Sequence, residues 1–240
     1  MFAAHCSLLT LMKDFSKLEK KLNLKFKDKN ILVQAFCHRS YLNENPDFEL
    51  PYNERLEFLG DAVLELVVTE WLYKKYPKES EGELTNWRAA LVNARMLSEV
   101  AKELEFDDFL LLSRGEQREV GKARAYILAN AFEAIMGAIY LDQGYKVCEN
   151  FIKKNLLIRL AEVIKEGLHR DPKSRFQEEA QERARLTPIY KALEEWGPDH
   201  AKHFIIGVFL GKEQVAKGEG SSKQEAEEEA AKEALKTKNW

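Results

Sequence analysis

Between Phe15 and about Glu166 apolar residues recur at helical spacing almost without a break, and beyond Pro172 the period changes to that of half-buried strands. No single packed layer satisfies both periods, so the chain is read as two domains. Turn signals at Asn43-Glu44-Asn45-Pro46, Tyr76-Pro77, Ser113-Arg114-Gly115 and Gln143-Gly144 divide the first part into helices. It is an all-α domain over residues 14–166, preceded by an N-terminal extension, 1–13. Residues 167–170 form a polar linker, after which Asp171 is the expected N-cap and Pro172 the first helical residue. The second domain, 171–238, is a small α+β unit of order α-β-β-β-α. Its helix runs from Pro172 to Ala184, its strands lie near Ile189–Trp196, Lys202–Leu210 and Gln214–Lys217, and its last helix spans Ser222 to Lys236. Phe204, Ile206, Val208 and Leu210 alternate onto one strand face, and Ala226, Ala230, Ala234 and Leu235 turn the last helix toward it.

With 240 residues, 45% of them hydrophobic and 32% charged, each domain can bury a core. The longest apolar runs, Ala62–Val68 and Ala134–Ile139, fall far short of the roughly 20 residues a membrane helix needs, so no membrane partner is expected. Met1–Met12 is apolar but lacks a basic leader and a small-residue cleavage site; it reads as a frayed extension or as sequence upstream of a start at Met12. Cys6, Cys37 and Cys148 have neither disulfide-framework nor metal-ligand spacing and fit buried thiols in a reducing cytoplasm. A formal charge of −3 does not announce a phosphate-bearing partner. Any nucleic-acid role must therefore rest on local sites.

The most informative segment is Asn53–Leu64, N-E-R-L-E-F-L-G-D-A-V-L. At 100° per residue, Glu54, Glu57, Asp61 and Glu65 fall at roughly 0°, 300°, 340° and 20°, one narrow acidic stripe. Leu56, Leu59, Val63, Leu66 and Val67 fall between roughly 120° and 220°, which puts the expected core opposite the carboxylates. Like charges stacked at these spacings are mildly destabilising, so the stripe calls for a cation or is simply a solvated face. Tyr126–Asp142 repeats the pattern: Asn130 and Glu133 share one face with Gly137, while Phe132, Ile135, Met136 and Ile139 occupy the other. Gly137 leaves room there for close approach of another helix or of RNA. Two such faces brought together supply hard oxygen ligands of the kind Mg²⁺ prefers, suited to phosphodiester hydrolysis.

The Asn53–Leu64 segment resembles the signature of the bacterial ribonuclease III family, and the resemblance extends from about residue 14 over nearly the whole chain. Cys37-His38-Arg39-Ser40-Tyr41 is similar to the family's T-H-R-S-Y element, with Cys in place of Thr. Glu81-Gly82-Glu83-Leu84-Thr85, Arg88–Val92 and Gly121–Glu133 resemble further family segments. The resemblance implies Mg²⁺ as cofactor, with Mn²⁺ as a substitute and no small-molecule cofactor. It also implies Glu57, Asp61, Asn130 and Glu133 at the metal, Asp61 and Glu133 as catalytic residues, and Glu54 and Glu81 along the same acidic valley. Glu65 has no counterpart in the motif and reads as peripheral. Phe58, beside the acidic stripe, is implied to enter a pocket of a second copy and make a homodimer; the alternative is packing within its own chain. One position departs from the pattern: Asn130 stands where the family usually carries Asp, which removes a negative charge but leaves an amide oxygen.

The second domain resembles the double-stranded RNA-binding domain, which implies three contact patches. They are Ser174, Gln177 and Glu178 on the first helix, Pro198, Asp199 and His200 in the loop between the first two strands, and Ser222 and Lys223 at the start of the last helix. Gly218 to Lys223 reads as the loop leading into that helix. Only Lys223 remains of the family's basic cluster, and residues 171–240 hold 12 Lys and Arg against 14 Asp and Glu, a net of −2. Binding should be modest and salt-sensitive, with help from Lys217 and Lys232. His200 and His203 lack a third ligand for a metal, which favours RNA contact and a strand role. Three functions stay open: a nuclease that cuts both strands of duplex RNA, leaving 5′-phosphate and 3′-hydroxyl ends with short 3′ overhangs and processing ribosomal and other precursors; a catalytically weakened duplex-RNA-binding protein; and a ribosome-associated relative without chemistry. The retained set Glu54, Glu57, Asp61, Glu81 and Glu133 favours the first.

Overall fold

The computed structural model describes residues 13–165, 167, 171–198 and 202–240. The expected contacts at Asp199 and His200, the segment 1–12 with Cys6, and most of the expected linker lie outside those residues. The chain forms two compact units divided between residues 166 and 167.

In the first unit, helices α1 (Phe15–Leu22), α2 (Lys29–Ala35), α3 (Arg39–Glu44), α4 (Glu54–Lys75), α5 (Glu81–Val92), α6 (Ala94–Glu103), α7 (Gly121–Gln143), α8 (Tyr145–Asn155) and α9 (Leu160–Lys165) surround one hydrophobic core. Side-chain caps set where several of them start. Asp14 and Asp28 accept from the backbone N–H of Ser16 and Asn30, and Ser80 and Asn93 accept from those of Glu83 and Met96. Gly144, at φ 83°, ends α7 in a conformation that favours glycine.

Helix α7 runs through the middle of this unit: Leu128, Ala129, Ala131, Phe132 and every residue from Ala134 to Ile139 are buried. The expected two-faced helix is thus corrected, because its small residues, Ala129, Ala131, Ala134, Gly137 and Ala138, are packing positions as well. Its most extensive neighbour is α4. On α4, Leu56, Gly60, Val63, Leu64, Val67 and Val68 are buried, an arc of roughly 180° to 320° on the wheel that reaches the carboxylate stripe. The core therefore borders the carboxylates rather than standing opposite them. Leu66, expected inside, is 57% exposed.

The start of α4 is fixed by Asn53, a polar residue only 4% exposed. Its side-chain amide donates to the Ala35 carbonyl at 3.2 Å, and its backbone N–H donates to the Cys37 carbonyl at 2.8 Å. The first turn of the acidic helix is thereby tied to the end of α2. Asn53→Ala should cost about 1–3 kcal/mol, because the Ala35 carbonyl loses its side-chain donor in a dry site. Urea unfolding would show this as a lower midpoint with unchanged slope.

The second unit has α10 (Pro172–Glu179), continued by a wide turn over Ala180–Ala184, then strands β1 (Ile189–Trp196), β2 (His203–Leu210) and β3 (Glu213–Gly220), and α11 (Lys223–Lys238). The sheet is antiparallel in the order β1-β2-β3. Asp171 caps α10 by accepting from the Ser174 N–H at 2.8 Å, and Pro172 opens the helix, as expected. Phe204, Ile206, Val208 and Leu210 are buried beneath Ala226, Ala230, Ala234 and Leu235. The third strand is longer than expected, because Gly218-Glu219-Gly220 continues the ladder opposite Phe204–Ile206. These glycines are contact positions: a Cβ on Gly218 would lie 2.2 Å from the Ala230 nitrogen, and one on Gly220 2.6 Å from the Ala226 nitrogen. At the far end of the helix, Trp240 stacks on Phe176 with ring centroids 5.5 Å apart.

Candidate active site and RNA-binding surface

The carboxylates expected at the metal are held by the crossing of α4 and α7, and that crossing is made of backbone. A Cβ on Gly60 would fall 1.7 Å from the Glu133 carbonyl oxygen, and one on Gly137 would fall 2.2 Å from the Leu56 carbonyl oxygen. Each glycine thus receives the other helix beside an acidic residue of the site, Asp61 on one helix and Glu133 on the other. Gly137 receives a helix, one of the two occupants its sequence position allowed. Gly60 was not singled out in sequence; its spacing within Glu57-x-x-Gly60-Asp61 was the available signal.

Glu57 and Glu133 are half-buried, and Asp61 is exposed. Burial pushes the Glu133 carboxyl up to about 7, with repulsion from Asp61 and then Glu57 adding to it. Glu57 is raised for the same reasons in the same order, burial first and then repulsion from Glu54 and Asp61. No cationic side chain is among the causes for either group. Asn130, one turn before Glu133 on α7, is half-buried at the same crossing helix.

Two other acidic residues are already paired. Arg39 Nη1 lies 3.6 Å from Glu54 Oε1, and Arg88 Nη1 lies 3.6 Å from Glu65 Oε2, in keeping with a peripheral Glu65. Glu81 stands at the start of α5, where it accepts from the Thr85 hydroxyl at 3.2 Å. It lines a groove of about 680 Å³ with Thr69, Tyr73, Lys74, Leu84 and Arg88. That groove meets α4 three turns beyond Glu57, so Glu81 is placed apart from the coupled carboxylates.

Among the described residues, no three His, Cys, Asp or Glu side chains stand close enough to enclose a cation as they are. The donor set nevertheless suits Mg²⁺, which is commonly held through one or two carboxylates while keeping several of its waters. Two carboxyls raised by burial and by repulsion from neighbouring carboxylates, with no cation among the causes, form a site that a divalent ion would relieve.

Phe58 is 81% exposed, and Leu66 and Tyr73 are 57% and 73% exposed. With Ala62 they form an apolar stripe along α4 at roughly 40° to 120° on the wheel. Among the described residues nothing covers the Phe58 ring, contrary to the alternative. The extension of the stripe to Leu66 and Tyr73 is hidden in sequence, because leucine at helical spacing reads as core.

In the second unit Ser174, Gln177, Glu178, Pro198, Ser222 and Lys223 are all exposed. The Ser174 hydroxyl donates to Asp171 at 2.8 Å, and Ser222 Oγ caps α11 by accepting from the Glu225 N–H at 3.1 Å. Lys223 Nζ lies 5.7 Å from the Phe204 ring centroid and lowers the Glu195 pKa, after the larger effect of the Lys202 contact. The start of α11 and the end of β1, where the loop begins, therefore share one edge. Lys217 is exposed, whereas Lys232 is tied to Glu229 at 3.0 Å. His203 stacks on Trp196 and lies 3.8 Å from Glu219, which gives it a strand role.

Residues 28–160 match the family model described as Ribonuclease-III-like, and residues 172–238 match the double-stranded RNA binding motif. The chain is 43% identical to Ribonuclease 3 of Leptospira interrogans, over 92% of this chain and 90% of that protein. It is also 43% identical to Ribonuclease 3 of a Nitratiruptor species, over 94% and 97%. The solved nuclease domain of ribonuclease III from Campylobacter jejuni superposes with a TM-score of 0.53 at 44% identity, covering 59% of this chain and 98% of that one. Fold and site define a helical nuclease unit followed by an RNA-binding module. The chain belongs to the ribonuclease III family.

Proposed function

We propose that this protein is a Mg²⁺-dependent endoribonuclease that hydrolyses both strands of duplex RNA as a homodimer, giving 5′-phosphate and 3′-hydroxyl ends with short 3′ overhangs. The observation that carries this reading is the grouping of Glu57, Asp61 and Glu133 at the glycine crossing of α4 and α7, with the Glu57 and Glu133 carboxyls raised. Glu57, Asp61 and Glu133 would hold the divalent ion, with the amide oxygen of Asn130 as a neutral donor; Mn²⁺ has the same ligand preference. Such an ion supplies an activated water and stabilises the leaving oxygen. The chain's own residues fix the oxygen donors by buried backbone contact and leave them partly open to solvent. The second unit would read the A-form shape of the duplex through α10, the β1–β2 loop and the start of α11, without base specificity. Purified protein incubated with long duplex RNA, with and without Mg²⁺, tests this reading: metal-dependent shortening of both strands supports it, and binding without cutting rejects it.

The apolar stripe on α4 supports the homodimer, since an exposed aromatic row of this kind is a candidate self-complementary patch. The solved Campylobacter jejuni structure is described as concerning a region involved in dimer formation of its nuclease domain. Phe58→Asp should weaken self-association by about 100-fold, since a buried aromatic anchor contributes several kcal/mol and a charge in its place adds a desolvation cost. Sedimentation velocity would show a monomer at concentrations where the parent is dimeric.

Asn130 favours a second reading, a binding protein with weakened chemistry, and the two diverge in metal dependence. Asn130→Asp restores a full negative charge at nearly constant size. It should lower the Mg²⁺ concentration for half-maximal cleavage by about tenfold, from Coulomb attraction in a partly dehydrated site. A metal titration of both proteins on one duplex checks this; activity appearing only in the Asp variant would favour the binding protein.

We place the protein in the cytoplasm, acting on ribosomal and other structured precursor RNAs. Among the described residues no helix is long and apolar enough to cross a membrane. Cys37 and Cys148 are buried free thiols, each pushed by burial up to about 12, as suits a reducing compartment.

A further inference from the structure

Glu57, Asp61 and Glu133 repel the phosphates flanking the scissile bond, and a side-chain cation beside them would offset that repulsion in addition to a bound divalent ion. A side chain in position to provide that cation is Arg39. The two residues just before it are anchored: the His38 N–H donates to the Leu111 carbonyl at 3.1 Å, and the Cys37 carbonyl accepts from the Asn53 N–H at 2.8 Å. Asn53 immediately precedes Glu54, so the start of α3 and the start of the acidic helix are fixed together. From that base the Arg39 guanidinium lies over the Tyr52 ring, 5.9 Å from its centroid, and reaches Glu54 at the rim of the acidic stripe.

We propose that Arg39 grips an RNA phosphate beside the acidic site, with Glu54 and Tyr52 holding its guanidinium at the rim until the duplex arrives. The contact with Glu54 is made for exchange. One Nη1 meets one Oε1 at 3.6 Å, which is beyond hydrogen-bond range and not bidentate, and the two side chains are 68% and 47% exposed. An exposed pair of this kind contributes little, whereas guanidinium and phosphate can form two parallel charge-assisted hydrogen bonds. Tyr52 offers a ring face that need not be given up when the partner changes from carboxylate to phosphate. Glu54 lies one helical turn from Glu57, so a phosphate bound by Arg39 is held next to the coupled carboxylates.

This proposal rests on the duplex-RNA reading, and its test separates the two. Binding of full-length protein to a blunt duplex RNA is measured without divalent metal over a range of KCl concentrations, for the parent and for Arg39→Gln, Arg39→Lys and Glu54→Gln. Each phosphate contact contributes roughly 0.9 to the slope of log affinity against log salt. Arg39→Gln should flatten the slope by about that amount and weaken binding several-fold at low salt. Arg39→Lys should keep the slope, and Glu54→Gln, which releases the guanidinium, should tighten binding. Weaker binding by Arg39→Gln with an unchanged slope would make Arg39 a structural support and overturn the proposal, as would unchanged affinity. If the parent protein fails to bind the duplex at any salt, the duplex-RNA reading itself fails.

Discussion

Gly60→Ala should remove most of the activity and cost about 3 kcal/mol or more of stability. The added methyl would sit 1.7 Å from the Glu133 carbonyl oxygen and 2.8 Å from the Gly137 nitrogen. Both are backbone atoms of a buried helix, so no side chain can swing aside, and α4 must move away from α7 by roughly 1.5 Å to restore ordinary contact. Overpacking of a core usually costs about 1–3 kcal/mol, and a backbone collision belongs at or above the upper end. The same displacement separates Asp61 from Glu133, and a misplacement of about 1 Å can cost on the order of 100-fold in rate. Gly137→Ala should behave alike, because its methyl would meet the Leu56 carbonyl oxygen at 2.2 Å. Thermal melting and a cleavage assay on both variants check this. A Gly60→Ala protein that melts with the parent would show that the two helices can part without loss.

Glu133→Gln should abolish cleavage, leave duplex binding nearly unchanged, and stabilise the metal-free protein. The substitution keeps the shape of the side chain but removes a charge that burial and two neighbouring carboxylates oppose. Solvent reaches part of this group, so the stabilisation is only about 1 kcal/mol in EDTA, or about 3 °C in Tm for a unit of this size. Mg²⁺ should raise the Tm of the parent and have a smaller effect on the variant, because ligand binding to the folded state shifts unfolding by mass action. Equal activity of the two proteins at limiting Mg²⁺ would remove Glu133 from the site, and a variant less stable than the parent in EDTA would contradict the repulsion argument.

The acidic stripe was legible because Glu54, Glu57 and Asp61 share one helical face, and the α+β unit was legible because Phe204, Ile206, Val208 and Leu210 alternate. The crossing that makes the stripe into a site was not, because a helical wheel weighs side chains and glycine has none. The same blindness shortened β3, where Gly218 and Gly220 read as a loop although they admit Ala226 and Ala230 of α11. Leu66 failed for the opposite reason: apolarity at helical spacing does not say whether a face is covered by its own chain or by a partner. Arg39 was visible only as a letter in a motif; its nearness to Glu54 depends on the tie between Cys37 and Asn53, which are 16 residues apart in sequence.

If one homodimer brings two acidic sites to one duplex, the two strands should be cut together. The decisive measurement is single-turnover cleavage of a duplex RNA labelled differently on each strand, with protein in excess and Mg²⁺ added to start the reaction. Both strands should be cut in the same complex, at positions offset to leave short 3′ overhangs, with 5′-phosphate and 3′-hydroxyl ends. Cutting of one strand only, or an intact duplex under conditions where the protein is fully bound and Mg²⁺ is saturating, would contradict that arrangement.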